Sequence, residues 1–331
     1  MKITSRFSNQ SKGRSRWAFA PLVTAIWVAF CLIPGKGADA PPAGNFSAFG
    51  VHITGQGSPM ILIPGLSSSG DTWKGTVAHF GDHYKCYVLT LAGFAGVPPI
   101  HGPFLSTVRG QLAAYIQANH LDKPVIVGHS LGGNVALDLA AHDPNLVGPV
   151  VIVDSLPFYA GAWFQVKTVA QAKPIIASMH AYMLNETREQ YDEYVKSGAA
   201  TKYMVTSPAD LKTIEQWGLA SDPATVTEAM YEMLNQDLRP ELSKITAPVL
   251  VLGTWAGLRD EMKLRNIDLT KADVIQTFQE QYAGLPHLYF VLSGTSRHFI
   301  MFDDPQWFYA QLGQFLGNPQ LAVSSRGFAG R

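Results

Sequence analysis

Hydrophobic and polar positions along the chain alternate between two rhythms. The run Pro124-Val-Ile-Val127 is apolar and largely β-branched, and it passes directly into Gly128-His129-Ser130-Leu131-Gly132-Gly133. Apolar residues then recur at Leu131, Val135, Ala136, Leu139 and Ala140, three and four apart. That pattern predicts a buried strand, a tight turn and a helix in immediate succession. The same alternation extends in both directions. Residues 46–53 alternate loosely, Gly55-Gln-Gly-Ser-Pro59 turns, and Met60-Ile-Leu-Ile63 follows, which predicts two adjacent strands. Pro64-Gly65-Leu66-Ser-Ser-Ser-Gly70 is a small-residue loop, and a helix is expected from Asp71-Thr-Trp73 to His79. Cys86-Tyr-Val-Leu-Thr-Leu91 predicts the next strand, and Leu105, Val108, Leu112, Tyr115 and Ile116 mark one face of a helix.

Further along, Val150-Val-Ile-Val153, Pro248-Val-Leu-Val-Leu252 and Leu288-Tyr-Phe-Val-Leu292 predict buried strands. A helix over 272–282 has Thr270 as N-cap and Asp273 placed to complete a capping box. Asp304-Pro305 opens the last helix, which ends near Gly317, and the tail from Asn318 is expected to be frayed. Strands alternating with helices predict an α/β fold, a mainly parallel sheet covered by helices on both faces. One segment interrupts the alternation. Residues 156–245 contain no convincing strand but several helices, two opened by Ser207-Pro208 and Asp222-Pro223. Its apolar residues are rich in methionine and aromatics, which suits either ordinary helix packing or an adaptable lining over a site. Trp163, Phe164, Met179 and Met183 are the candidate substrate-binding residues there.

Composition narrows the class. The 331 residues are 47% hydrophobic and 15% charged, ample for a large core. The first 40 residues hold six of the 25 basic residues and one of the 25 acids, leaving a body of 19 basic and 24 acidic residues. A mildly acidic body without a basic cluster argues against nucleic acid as a partner. The N-terminus reads as an export signal: a basic lead ending at Arg16, an apolar run over 17–33, and Ala38-Asp39-Ala40 as a small-x-small cleavage pattern. Pro41 directly afterwards disfavours cleavage at that bond. The alternatives are a cleaved signal with periplasmic or secreted delivery, or an uncleaved segment that anchors the chain to the inner membrane, its sole membrane contact. Phe30 before Cys31 is too large for a lipoprotein signal, which leaves Cys86 alone in the mature chain. The expected organisation is 1–40 signal or anchor, 41–155 with 246–331 as core, and 156–245 as a helical cap insertion.

The candidate chemistry centres on Ser130. A serine hydroxyl needs a base to take its proton, and a carboxylate to orient that base. His298, in the loop Ser293-Gly-Thr-Ser-Arg-His298 after the last strand, is the candidate base. His52 and His101 precede the nucleophile, His129 adjoins it with its side chain turned elsewhere, and His287 falls before the last strand. The backbone N–H groups of Leu131 and Leu66 are the candidate oxyanion donors. The sequence holds no His-x-x-x-His or Cys-x-x-Cys cluster and no glycine-rich dinucleotide fingerprint, so neither metal nor cofactor is expected.

Gly128-His-Ser-Leu-Gly-Gly133, Pro64-Gly65-Leu66 and the late His298 together resemble the α/β-hydrolase superfamily over roughly residues 46–316. The resemblance implies Ser130 as nucleophile, His298 as base and Leu66 and Leu131 as oxyanion donors, with the helical insertion similar to the cap of esterase, lactonase and carbon–carbon hydrolase branches. Members usually carry the acid a few residues past the strand that follows the insertion. Here that stretch reads Gly253-Thr-Trp-Ala-Gly-Leu-Arg-Asp260, with no carboxylate at the usual distance. Asp154, at the end of the strand before the insertion, is the candidate acid, with Asp260 as the alternative should its loop double back. The expected activity is hydrolysis of carboxylic esters or lactones of small to medium apolar substrates through an acyl-enzyme. Two alternatives stand beside it: a ligand-binding sensor on a hydrolase scaffold, and a cofactor-free lyase or perhydrolase using the same residues.

Overall fold

The computed structural model describes residues 46–199, 201–264, 266–324 and 327–329. The export-signal segment lies outside them. In chain order the elements are β1 (Phe49–Gly55), β2 (Ser58–Ile63), a 3-10 turn (Gly70–Trp73) leading into α1 (Lys74–Phe80), β3 (Tyr84–Leu91), α2 (Phe104–Ala118), β4 (Val125–His129), α3 (Leu131–His142) and β5 (Val150–Val153). There follow α4 (Tyr159–Phe164), α5 (Val169–Leu184), α6 (Arg188–Lys196), α7 (Pro208–Ala220), α8 (Pro223–Asn235) and a 3-10 turn (Arg239–Lys244). The chain then rejoins the sheet in β6 (Val249–Gly253), α9 (Ala256–Leu264), α10 (Lys271–Gln281), β7 (Leu288–Leu292), α11 (Ile300–Asp303), α12 (Pro305–Gly317), α13 (Leu321–Ser324) and β8 (Gly327–Ala329).

The strands form one sheet in the order β1-β3-β2-β4-β5-β6-β7-β8, parallel throughout except for β1. Both faces of its central strands are buried, as continuous apolar runs require. Ile61, Ile126, Val150, Ile152 and Val251 face a core shared with α2, α3 and α10. Met60, Leu62, Val127, Val151, Leu250 and Leu252 face the opposite core, which Trp73, Phe308, Leu312 and Phe315 complete. Register decides where the loops emerge. Ile63 pairs with Gly128, His129 with Val153, Val153 with Leu252 and Gly253 with Leu292. The carboxyl ends of β2, β4, β5, β6 and β7 therefore finish along one edge, the position at which parallel α/β sheets carry their sites.

Between β5 and β6 the described residues form helices and no strand. Ser207 and Asp222 cap α7 and α8 with their side chains, each with proline in the first turn, and Thr270 and Asp273 form the capping box of α10.

The structure departs from the sequence reading in three places. First, β1 and β2 are not neighbours in the sheet: β3 lies between them, because β2 has its two edges occupied by the parallel partners β3 and β4. Second, the segment after β6 forms α9 rather than a loop. Third, the expected frayed tail returns as α13 and β8, which pairs with the outer edge of β7 and covers hydrogen-bonding groups that would otherwise face solvent.

Candidate active site

Ser130 sits at the turn between β4 and α3 with φ 53° and ψ −122°, a conformation costly for a residue with a β-carbon. Its surroundings hold it there. Ser130 N–H donates to Val153 O at 3.0 Å, and the Ser130 carbonyl accepts from Gly133 N–H (2.8 Å) and Asn134 N–H (3.1 Å). The glycines are required by close approach: a β-carbon at Gly128 would fall 2.2 Å from Gly132 O, one at Gly132 2.4 Å from Ile63 O, and one at Gly133 2.6 Å from Ser155 Cβ. The turn can be this tight only because none of the three has a side chain.

Of the two candidate carboxylates, Asp154 is the one that meets the histidine. His298 Nδ1–H donates to Asp154 Oδ2 at 2.7 Å. Because a carboxylate accepts, the ring proton lies on Nδ1 and the lone pair is left on Nε2, the state a general base needs. Asp154 itself has φ 45° and is fixed by Thr254, whose N–H donates to Oδ1 at 3.0 Å and whose hydroxyl donates to Oδ2 at 2.9 Å. Thr254 follows β6, the stretch in which the resemblance led one to expect the acid. Here the site's neighbour holds the carboxylate instead of supplying it.

Asp260 does not reach the ring. It lies on α9 and accepts from Arg259 at 2.6 Å and from Arg297 at 3.1 Å. Partial burial pushes its carboxyl up, but the bonds and charges of Arg259 and Arg297 outweigh this and hold it below the usual range. Arg297 precedes His298 and donates also to the carbonyls of Lys202 and Val205, while its N–H donates to Asp303 Oδ2 at 2.8 Å. Asp260 thus braces the loop that carries His298.

His129 does more than turn away from Ser130. It is fully buried, its Nε2–H donates to the His298 carbonyl at 3.0 Å, and its ring lies 4.5 Å from those of His298 and Phe299. Burial, and next the neighbouring His298, hold its pKa well below the ordinary value, so it remains neutral.

The loop after β2 closes the other side. A β-carbon at Gly65 would come 3.1 Å from Ser130 Cβ, so this backbone lies directly against Ser130. Among the described residues, neither Leu66 N–H nor Leu131 N–H donates to a protein acceptor. Leu131 N–H also belongs to the first turn of α3, where donors point out of the helix.

The four candidate substrate-binding residues lie on α4 and α5. Trp163 is 49% exposed and meets Tyr159 edge-on at 5.8 Å. Phe164 packs on the core. Met179 and Met183 line the seam between α5 and α8 with Ile176, His180 and Met230. Methionine fills such helix–helix gaps well. Two tyrosines not singled out in the sequence make buried hydrogen bonds. The Tyr159 hydroxyl, from α4, donates to Ser155 Oγ at 2.9 Å, beside Asp154. The Tyr191 hydroxyl, from α6, donates to Gly218 O at 3.1 Å. Their amphipathic character, a buried ring with one polar tip, is the signal that could have marked them. Among the described residues no group of three His, Cys, Asp or Glu side chains is arranged to hold a metal ion.

A strained serine at a strand–helix turn, with a carboxylate-bound histidine at the same edge of a parallel sheet, defines a protein of the α/β-hydrolase class. Residues 60–311 match the model of the alpha/beta hydrolase family, and the chain belongs to that family and is a hydrolase. It is 26% identical over 270 residues to the pimeloyl-[acyl-carrier protein] methyl ester esterase of Vibrio vulnificus (strain YJ016), covering 80% of this chain and 96% of that protein. Among solved structures, the enol-lactonase from Burkholderia xenovorans LB400 superposes with a TM-score of 0.64 at 16% identity, covering 82% of this chain and 96% of that one. An esterase from Exiguobacterium antarcticum gives 0.64 at 14% identity, with 82% and 96% covered. At such identities the two structural likenesses are of fold.

Proposed function

We propose that this chain hydrolyses carboxylic esters or lactones of small to medium apolar substrates through an acyl-enzyme on Ser130. The observation that carries this reading is the 2.7 Å contact between His298 Nδ1 and Asp154, at the sheet edge where Ser130 emerges. In the proposed reaction His298 Nε2 takes the Ser130 proton as Oγ attacks the carbonyl carbon. Leu66 and Leu131 N–H receive the oxyanion. The tetrahedral species expels the alcohol, which takes the proton from His298, and a water activated by the same nitrogen then releases the acid. The relatives named for ester and lactone hydrolysis support this class. The helical segment 156–245 would serve as the cap, its first helix α4 being joined through the Tyr159 hydroxyl to Ser155, the residue after Asp154. Export through the N-terminal segment remains part of the proposal.

Nitrophenyl esters of graded acyl length, together with a lactone series, test the reading. Wild-type chain is expected to turn over short to medium esters, Ser130→Ala to lose this by at least about 10³-fold. A folded wild type with no turnover on any ester or lactone overturns the proposal.

A further inference from the structure

The loop that carries His298 is tied to the helical insertion on both sides of that residue. Residues 202–206 lie between α6 and α7 and present three carbonyls to it. Arg297, just before His298, donates through Nη1 to the carbonyls of Lys202 (3.1 Å) and Val205 (2.9 Å). Phe299, just after it, donates its N–H to the Met204 carbonyl at 3.0 Å. Asp303 bridges the two segments. Its Oδ2 accepts from Arg297 N–H at 2.8 Å, and its Oδ1 accepts from Thr206 N–H (2.8 Å) and the Thr206 hydroxyl (2.7 Å). Apolar packing lies beneath these bonds. Val205 and Ile214 share a core with Phe299, Ile300 and Met301, and Trp217 on α7 meets Phe302 at 6.2 Å. The far end of the Arg297 guanidinium is held by Asp260 Oδ2 at 3.1 Å.

We propose that residues 202–206 position His298 for catalysis, with Arg297 and Asp303 as the positioning residues through which they act. This rests on His298 being the base of the reaction proposed above. Asp154 restrains one ring nitrogen and His129 the His298 carbonyl. Neither fixes the backbone at Arg297 and Phe299, so the ring could still swing about its bond to the carboxylate. Proton transfer needs the second nitrogen within about 3 Å of the Ser130 hydroxyl. That requires a fixed backbone at 298, and the bonds to the residues before and after it supply one. A tie that only secured the insertion could fall anywhere along the sheet edge. These fall on the two residues that flank His298, and Asp303 joins the first of them to the segment a second time. The insertion thereby acts on the proton-transfer step without touching the substrate.

Arg297→Met keeps the stem of the side chain and removes its donors. With nitrophenyl esters, assayed well below the melting temperature, kcat is expected to fall about 10- to 100-fold, as misplacement of a reacting group does. KM should change less than about twofold. Arg297→Lys, which can still reach one carbonyl, should recover part of the loss. Thr206→Val removes one bond to Asp303 and should lower kcat about three- to tenfold, and Thr206→Ser should restore it to within about twofold. Labelling of Ser130 by a fluorophosphonate is followed in parallel. A tie with a structural role alone lowers the melting temperature and leaves kcat as it was. Wild-type kcat in folded Arg297→Met therefore overturns the proposal, as does a rise in KM alone. If the Met variant does not fold, Thr206→Val with wild-type kcat overturns it, as does a loss that Thr206→Ser fails to recover. A wild type that neither turns over esters or lactones nor is labelled at Ser130 overturns the reading of the site, and this inference with it. An active, labelled wild type beside an unimpaired Arg297→Met overturns this inference alone.

Discussion

Asp154 and His298 are 144 residues apart in sequence and 2.7 Å apart in space, Oδ2 to Nδ1. The contact exists because β5 and β7 finish at the same edge of the sheet, with β6 between them supplying Thr254 to hold the carboxylate. Asp260, which stands nearer the usual position of the acid in the sequence, is engaged by Arg259 and Arg297. The histidine is thus oriented by one carboxylate, and its loop is braced by another.

Exchanging the two carboxylates for amides separates these roles. Asp154→Asn keeps the shape but offers His298 the wrong partner, and kcat is expected to fall on the order of 10³- to 10⁴-fold with little change in KM. Asp260→Asn leaves the ring's partner intact, so its effect should be within about tenfold, accompanied by a lower melting temperature. Steady-state kinetics and thermal melts of the two variants decide it. Equal losses of kcat would contradict the assignment.

Thr254→Val removes the 2.9 Å hydroxyl bond to Asp154 and keeps the backbone N–H bond to the other oxygen. One of two restraints remains, so kcat should fall by about tenfold rather than collapse. Thr254→Ser, which retains the hydroxyl, should recover most of it. The comparison is made on one ester at saturating concentration.

Gly132→Ala places a β-carbon 2.4 Å from Ile63 O and 2.5 Å from Pro64 O, backbone atoms that cannot rotate away. The expected cost is about 3 kcal/mol or more, or failure to fold, as overpacked backbone sites show. Urea denaturation measures it. Gly110→Ala is the control, since its β-carbon would meet nothing within 4 Å in the middle of α2.

His129 makes stability depend on pH. Burial and the adjacent His298 depress its pKa in the folded chain, so only the unfolded chain takes up a proton as pH drops below about 6.5. This contribution is complete above that value and is lost as pH falls, at about 1.4 kcal/mol per unit. His129→Gln retains a donor for the His298 carbonyl without the titration. Between pH 7.5 and 5.5 the wild type should therefore lose about 1 to 1.5 kcal/mol more than His129→Gln in urea melts. Parallel losses would show that His129 is protonated when folded.

Much of this architecture was legible in the chain. Helix caps at Ser207, Asp222 and Thr270 are decided by hydrogen bonds within three residues, so the sequence carries them whole. The buried runs before Gly128, Asp154 and Gly253 announce strands covered on both faces. Strand order was less accessible: the turn at Gly55-Gln-Gly57 reads as a link between adjacent strands, yet β3 inserts between them. Met179 and Met183 were legible as apolar and nothing more, since period alone does not tell a helix–helix seam from a substrate wall. Tyr159 and Tyr191 were passed over because their hydroxyls gain meaning only from what lies opposite.

The sequence by itself determined the elbow at Ser130, its glycines and its following helix, because those constraints act between residues a few positions apart. It also determined that a histidine follows late in the chain. The tertiary structure alone decided that Asp154 rather than Asp260 meets His298 and that Thr254 holds it. Those contacts depend on which strand ends share an edge of the sheet, and parallel register across crossovers of tens of residues is set by the packing of the whole core rather than by any local signal.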